Sequence, residues 1–260
     1  MGIIRGGLVA LISIMLFLSL LSVNIFMTMS LSLKYDVVKP KLSNLILNTA
    51  KENIDMNQFD NLIKLYCQNN NSFPIKDFIN DSFIGEEEIS CDLALQEGSE
   101  AVLKDMIDKG IDKSYYAEYN CSTIFNCNKG NEENQQAFSM QKFLFLFSEQ
   151  IRDYWKKWFY WTIFLSIVLC SLLLFLMENK SSFPFLVGGL LIVASLPFLG
   201  LDWLIMKLTK EYFQFVLLYF SKSYFTFLFG TILGVVLIIL GIAVKFLNIG
   251  DKIFGFFRKS

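Results

Sequence analysis

Long apolar segments alternate with polar ones along this chain and divide it into spans and one large loop. The uncharged run at residues 8–29 would extend about 33 Å as a helix, which is enough to cross a hydrocarbon layer of about 30 Å. Further predominantly apolar runs lie at 158–177, 183–206 and 225–246. The pattern therefore predicts four transmembrane helices.

The polar stretch at residues 30–157 separates the first two spans. Apolar residues recur at helical spacing near both of its ends, and no sustained alternation favours strands. We expect the first helix to continue past its span with a kink or break near Pro40. Residues 136–177 contain neither proline nor glycine, which predicts one uninterrupted helical rod. The predicted fold is an all-α membrane protein with a helical domain between the first and second spans.

The segments that flank the fourth span are more polar than the span itself. From 207 to 224, polar residues recur every three or four positions opposite aromatic and aliphatic ones. This spacing predicts an amphipathic helix that lies in the membrane interface. Residues 247–260 are predicted to form a short basic tail in the cytoplasm.

Four of the five cysteines lie in the polar loop, at Cys67, Cys91, Cys121 and Cys127. A small domain with few large apolar side chains needs covalent support, so we predict two disulfides. Of the three pairings that four cysteines allow, we favour Cys67 with Cys91 and Cys121 with Cys127, because neighbours in sequence close their loops most easily. A four-thiolate zinc site would need two close pairs, and only one pair is close.

Charge is distributed unevenly between the loop and the spans. Residues 30–157 carry 20 acidic and 14 basic side chains, whereas the remainder carries 4 and 9. An acidic loop without clustered Lys and Arg argues against nucleic acid as a partner. Histidine is absent from the chain, which excludes Ser-His, Cys-His and zinc-His chemistry. We find no catalytic, cofactor or EF-hand signature and predict neither cofactor nor metal.

Basic residues near the span ends favour a cytoplasmic N-terminus. Four thiols in one loop favour an oxidising compartment for that loop. Both termini are therefore expected in the cytoplasm and residues 30–157 outside the cell membrane. Glycosylation sequons at Asn70, Asn80 and Asn120 agree with this orientation.

Two features stand out within the predicted spans. Asp202 is the only acidic residue among them, but it lies near a span end beside Trp203, where an interfacial position is easily accommodated. Gly230 and Gly234 form a GxxxG step that Gly241 continues, which is typical of close helix packing. The contact is either within the chain or with a second copy, so self-association is left open.

The four-span outline resembles that of claudins and tetraspanins. Tetraspanins place their large loop between the third and fourth spans and carry a Cys-Cys-Gly motif, and neither feature occurs here; the claudin signature is also absent. We assign no family. The sequence favours a non-enzymatic assembly or adaptor subunit that lies in the lipid bilayer and whose acidic loop binds a membrane or extracytoplasmic protein. The alternatives are a subunit of a transporter, a membrane-embedded enzyme, and a sensor that signals through a membrane partner.

Overall fold

A computed structural model describes most of the chain. The described residues are 2–68, 72–74, 88–123, 126–128, 144–209 and 214–246. They divide into two compact units. We call Met1–Ser32 with Tyr154–Ser260 the apolar unit, and Leu33–Asp153 the head unit.

Helices dominate the described residues, as predicted. In chain order they are α1 (Gly2–Ser32), α2 (Tyr35–Asn53), α3 (Met56–Cys67), α4 (Cys91–Glu97), α5 (Ser99–Tyr115), α6 (Glu149–Leu176), α7 (Phe183–Ser195), α8 (Leu201–Thr209), α9 (Gln214–Tyr219) and α10 (Ser223–Phe246). The strands are β1 (Ser72–Pro74), β2 (Glu88–Ser90), β3 (Asn120–Thr123) and β4 (Asn126–Asn128).

Four helical stretches are long and apolar enough to cross a membrane, as the sequence predicted. They are Ile4–Ser32, Glu149–Leu176, Lys180–Leu199 and Phe215–Phe246. The third is shorter than the predicted 183–206. Its last turn, Leu196–Leu199, is a 3₁₀-helix that contains Pro197, and the helix ends before Gly200. Proline has no N–H to donate, so the hydrogen bonds of an α-helix cannot continue unchanged through this turn.

The amphipathic helix predicted at 207–224 is not one helix in the structure. Its first residues belong to α8, and α9 begins at Gln214. Residues 210–213 lie outside the described part. The chain then turns at residues 220–222 before α10 begins at Ser223.

The apolar unit is built on α1, α7 and α10. Its core consists of Ile12, Leu16, Leu20, Leu169, Leu173, Val187 and Ala194. Buried polar side chains join α1 to α6, α7 and α10. Their contacts are Ser19 Oγ with Ser166 Oγ (2.8 Å), Asn24 Nδ2 with the Ala194 carbonyl (3.1 Å) and Thr28 Oγ1 with Thr226 Oγ1 (2.8 Å). Each of these three side chains thus has a hydrogen-bond partner on a neighbouring helix.

The head unit is organised around α5, because α2, α3 and α4 all pack against it. One face of α5 is buried, through Val102, Leu103, Met106, Ile107 and Ile111. Of the kink or break predicted near Pro40, the break is wrong: Pro40 lies inside α2, and the chain instead turns at residues 33–34. Pro40 is the sixth residue of α2, so it cannot donate to the Asp36 carbonyl four residues earlier, and the helix nevertheless continues to Asn53.

The predicted rod over 136–177 is also wrong in its first part. The α6 helix begins at Glu149, and residues 146–148 form a turn. The Phe147 and Ser148 amides bond back three residues, to the carbonyls of Leu144 and Phe145 at 2.9 and 3.0 Å. Leu144, Phe145 and Phe147 are all buried, so packing overrides a local sequence that contains no helix breaker. Residues 136–143 lie outside the described part.

Two short antiparallel strand pairs were not expected from the sequence. The β1 strand pairs with β2, and β3 pairs with β4. Strands of three or four residues are too short to show an alternating pattern. The β3–β4 register places Cys121 directly opposite Cys127. Their side chains lie outside the described part, so that disulfide stays a prediction.

Candidate functional site

The α3 helix is held in the head unit at both ends. At its start, the Asp55 carboxylate accepts hydrogen bonds from the backbone N–H groups of Asn57 and Gln58. Such a cap satisfies N–H groups that have no partner inside the helix. Phe59, Ile63 and Cys67 are buried. They recur every fourth residue, so they form one face against the core.

A disulfide fixes the end of α3. Cys67 and Cys91 are joined with an S–S distance of 2.02 Å, so this part of the predicted pairing is confirmed. Cys91 is the first residue of α4, where the Ser90 hydroxyl accepts a hydrogen bond from the Asp92 amide at 3.2 Å. The cap, the buried face and the disulfide together leave α3 little freedom to turn on the core.

The opposite side of α3 is exposed and partly apolar. We call Gln58, Asn61, Leu62 and Leu65 the outer face, since they follow the i, i+3, i+4, i+7 spacing of one helical stripe and all four are exposed. Leu62 is 54% exposed and Leu65 71% exposed. The stripe itself carries no charge. Two leucines one turn apart on a water-facing helix therefore form an apolar pair framed by amides.

Charged neighbours of the outer face neutralise each other. Lys64 forms an ion pair with Asp60 at 2.6 Å, and the two lie one turn apart on the flank of α3. Among the described residues, the charges that flank Leu62 and Leu65 on α3 thus cancel, although the loop as a whole is acidic. A neutral apolar surface is suited to another protein surface rather than to a polyanion.

A second cluster in the head unit joins α2 to α5. The Tyr35 hydroxyl donates to Asp112 Oδ1 at 2.5 Å, and Lys39 Nζ donates to Asp112 Oδ2 and to the Tyr35 hydroxyl, both at 2.8 Å. The bond to Asp112 raises the pKa of Tyr35 and raises that of Lys39. Tyr35 is therefore held as a neutral donor, and a general base would need the opposite shift.

Two more buried tyrosines belong to the same region of the head unit. The Tyr115 hydroxyl donates to the Leu33 carbonyl at 2.9 Å and accepts from Arg152 Nη1 at 3.3 Å. The Tyr119 hydroxyl donates to the Ser114 carbonyl at 3.0 Å. Burial raises the pKa of both tyrosines. The contacts of Tyr115 connect the first residue of the head unit, Leu33, with Arg152 near its last residue, so we assign these tyrosines a structural role.

The glycines singled out in the sequence lie where α10 meets α7. Gly230, Gly234 and Gly241 are buried. A Cβ on Gly234 would lie 2.8 Å from the carbonyl oxygen of Gly188, and one on Gly188 would lie 2.7 Å from that of Gly234. The close contact of this stripe is thus made within the chain. Gly188 was the partner that sequence reasoning missed, since no spacing rule connects it to the GxxxG step.

The remaining sequence candidates are less well described. Asp202 belongs to α8, beyond the break at Gly200, and its side chain lies outside the described part. Asn70 and Asn80 also lie outside it, and for Asn120 only the backbone, in β3, is described. The three predicted sequons therefore stay predictions.

Within the described ranges, no three His, Cys, Asp or Glu side chains are grouped so that they could hold a metal ion. Two carboxylates of the acidic loop are engaged otherwise, because Asp105 pairs with Lys109 at 3.1 Å and Asp112 pairs with Lys39. Comparisons with protein-family models, curated proteins and solved structures found no match to this chain.

The outer face of α3 is the feature that sequence reasoning underestimated. Phe59, Leu62, Ile63, Leu65 and Tyr66 all read as apolar positions of one helix. A single core contact buries a stripe about 100° wide, and this set is wider than that. The excess of apolar residues was the available signal, but only the structure shows that Leu62 and Leu65 are the ones left exposed.

Proposed function

We propose that this protein is a non-enzymatic adaptor or assembly subunit of a membrane that binds a second protein through the outer face of α3. The observation that carries the proposal is the exposure of Leu62 and Leu65 on a helix whose other face is already packed and whose end is fixed by a disulfide. Protein interfaces bury apolar side chains at their centre and leave polar groups at the rim. Gln58 and Asn61 supply such a rim.

The proposed orientation places both termini in the cytoplasm and the head unit outside the cell membrane. Two observations support it. The Cys67–Cys91 disulfide is typical of proteins in an oxidising compartment. Arg5 near the N-terminus donates to the Leu176 carbonyl at 2.7 Å, so the N-terminus and the α6–α7 connection with Lys180 lie at the same end of the apolar unit. Lys and Arg concentrated at one end favour the cytoplasmic side.

The orientation can be tested independently of the partner. A reporter that is active only outside the cytoplasm is inserted after Asn131 or fused after Ser260. Activity is expected at the first position and not at the second. The reverse result would contradict the orientation and would leave the α3 interface to be tested on the other side.

The interface itself is tested by photo-crosslinking in the protein's own membranes. A photoreactive amino acid at position 65 should give one discrete adduct with another protein, and adding Leu62→Asp should remove it. Position 95 is the matched control, because Leu95 is 59% exposed in the same unit but lies on α4. Intact Cys67–Cys91 bonding in each variant shows that the head unit has folded.

Three results would contradict the proposal: no adduct at position 65, the same adducts at positions 65 and 95, or adducts that Leu62→Asp leaves unchanged. An adduct with the mass of two copies of the chain would show that the partner is a second copy of this protein, bound through the same face, and would contradict a partner of different sequence.

A further inference from the structure

The apolar unit contains a long groove between α1, α6 and α7, with a volume of about 540 Å³. Its walls include Leu20 of α1, Ile163 and Leu174 of α6, and Val187 and Leu191 of α7. All of these residues lie in the membrane-length stretches, and the α6 wall alone extends over about three turns. The groove is therefore at a depth where its neighbours would be lipid chains or other apolar helices.

The hydroxyl groups in the walls have partners inside the protein. Ser166 Oγ donates to the Thr162 carbonyl at 2.9 Å, and Ser171 Oγ donates to the Ile167 carbonyl at 3.0 Å. No polar group of these two side chains needs an occupant to satisfy it. The occupant that fits such walls is apolar along its length.

The shape of the walls favours a thin, flexible occupant over a helix. Closely packed membrane helices meet through small residues, as α7 and α10 do at Gly188 and Gly234. The α6 wall does contain three small residues, Ser166, Cys170 and Ser171, but larger side chains such as Leu174 and Phe183 form the rest of the lining and would keep another helix backbone at a distance. An acyl chain has no backbone to accommodate and can follow the irregular surface between them.

One end of the groove is basic. Phe175 and Phe183 line that end, and the carbonyl of the adjacent Leu176 accepts the hydrogen bond from Arg5. Arg5 also pairs with Glu178 at 3.0 Å, but its side chain is still 45% exposed. With Lys180 in the same connection, the formal charges of Arg5, Glu178 and Lys180 leave this end positive. The Arg5 Nε and Nη1 groups make the contacts with Leu176 and Glu178, and the third guanidinium nitrogen, Nη2, is the one that can donate to a phosphate.

We propose that this groove binds an acyl chain of a bilayer phospholipid whose anionic headgroup lies against Arg5. The apolar walls supply the binding free energy of the chain, and Arg5 selects the charge of the headgroup. Basic sites between membrane helices at the cytoplasmic side, where the orientation proposed above places Arg5, are suited to such lipids.

Native mass spectrometry of the full-length protein in detergent tests the proposal, with phosphatidylglycerol or phosphatidylcholine added separately as probes. Wild type should retain phosphatidylglycerol preferentially. Ser171→Trp, which places an indole at the groove wall, should lower the retention of either lipid by about tenfold. Ile232→Trp is the matched control, because Ile232 is 61% exposed on α10 and does not line the groove. Its lipid retention should equal that of wild type.

Arg5→Gln separates the two parts of the site. It should abolish the preference for phosphatidylglycerol while phosphatidylcholine binding is unchanged. Equal lipid retention by Ser171→Trp and Ile232→Trp, or no retained lipid in wild type, would overturn the proposal. So would a Ser171→Trp protein that keeps its lipid but loses a second polypeptide, because the groove would then hold a helix. Ile167→Trp, on the same wall, replaces Ser171→Trp if that variant does not fold.

Discussion

The apolar unit and the head unit are both helical, but different interactions hold them together. In the apolar unit, α7 and α10 approach until the glycine backbones touch, and buried hydroxyls and an amide join α1 to its neighbours. In the head unit, a continuous set of aliphatic side chains on α5 forms the core, and a disulfide closes it. Apolar burial drives folding in water, whereas between membrane helices that driving force is absent and close packing replaces it.

Ion pairs show the same contrast among the described residues. Those of the head unit include Lys39–Asp112, Lys51–Glu100, Lys64–Asp60 and Lys109–Asp105. The apolar unit has the pair Arg5–Glu178, which lies at a helix end. Charged side chains thus form ion pairs throughout the head unit, where water screens them, whereas the pair in the apolar unit lies at a helix end. Changes designed for one unit should leave the other unaffected, and the first two predictions below, which measure exchange helix by helix, test this.

The largest effect is expected from removal of the disulfide. Replacing both Cys67 and Cys91 by Ser opens a loop with a sequence separation of 24. Loop-closure entropy then predicts a loss of about 3 to 4 kcal/mol in the free energy of unfolding. Hydrogen–deuterium exchange of the full chain in detergent should show faster exchange in α3 and α5 but not in α7 or α10. Cys170→Ser is the control for loss of a thiol, and equal acceleration in both units would refute the separation.

The next effect concerns the close contact of α7 with α10. Gly188→Ala places a Cβ 2.7 Å from the Gly234 carbonyl oxygen, so the two backbones must separate. Overpacking of this kind costs about 1 to 3 kcal/mol. Gly189→Ala is the neighbouring control, because nothing lies within 4 Å of its added Cβ. Exchange should accelerate in α7 and α10 for the first variant alone. Similar behaviour of the two variants would show that the glycine contact does not hold these helices.

A smaller effect is expected from the buried amide in α1. Asn24 is 5% exposed and donates to the Ala194 carbonyl. Asn24→Leu should lower stability by about 0.6 kcal/mol, the average for hydrogen bonds between membrane helices, and by no more than about 1.7 kcal/mol. Ser22→Ala is the control, since the Ser22 hydroxyl bonds only to the Leu18 carbonyl of its own helix. Denaturation in sodium dodecyl sulfate measures the stability of both variants. An Asn24→Leu protein more stable than wild type would show that the Asn24 hydrogen bond does not stabilise the contact of α1 with α7.

Much of the architecture could be predicted because it depends on length and composition. Four sufficiently long apolar runs predicted the four membrane-length helical stretches, and proximity in sequence predicted the Cys67–Cys91 disulfide. Helix ends were harder to predict. Hydropathy continues from Leu199 through Gly200 into α8, so it could not show where the third span ends.

Features that depend on tertiary contacts were missed. Nothing local interrupts the helix before Glu149; the turn there exists because Leu144, Phe145 and Phe147 are buried. The candidate site has the same limitation. Periodicity predicted that α3 is amphipathic, but which of its apolar residues remain exposed depends on where α4 and α5 lie. Local pattern therefore predicts elements, and packing decides boundaries and surfaces.

The smallest effect concerns the Tyr35–Lys39–Asp112 cluster and pH. Hydrogen bonding to Asp112 raises the pKa of both Tyr35 and Lys39. Groups with raised pKa values stabilise the folded state below their unfolded values, about 10.0 for Tyr and 10.4 for Lys, and this stabilisation is lost as pH rises through the folded values. The head unit should therefore weaken above about pH 10. Because the cluster is partly exposed, its contribution is expected to stay below about 1 kcal/mol.

Asp112→Asn isolates this cluster from Tyr115 and Tyr119, whose raised pKa values act in the same alkaline direction. Thermal unfolding of the full chain between pH 8 and about pH 11 should show a shallower alkaline decline in the variant than in wild type. Glu100→Gln is the control, since it breaks the exposed Lys51–Glu100 ion pair, in which no tyrosine takes part. It should leave the slope unchanged. If the stability of Asp112→Asn declines with pH as steeply as that of wild type, the alkaline sensitivity comes from the buried Tyr115 and Tyr119. The Tyr35–Lys39–Asp112 cluster would then contribute nothing measurable to the stability of the head unit.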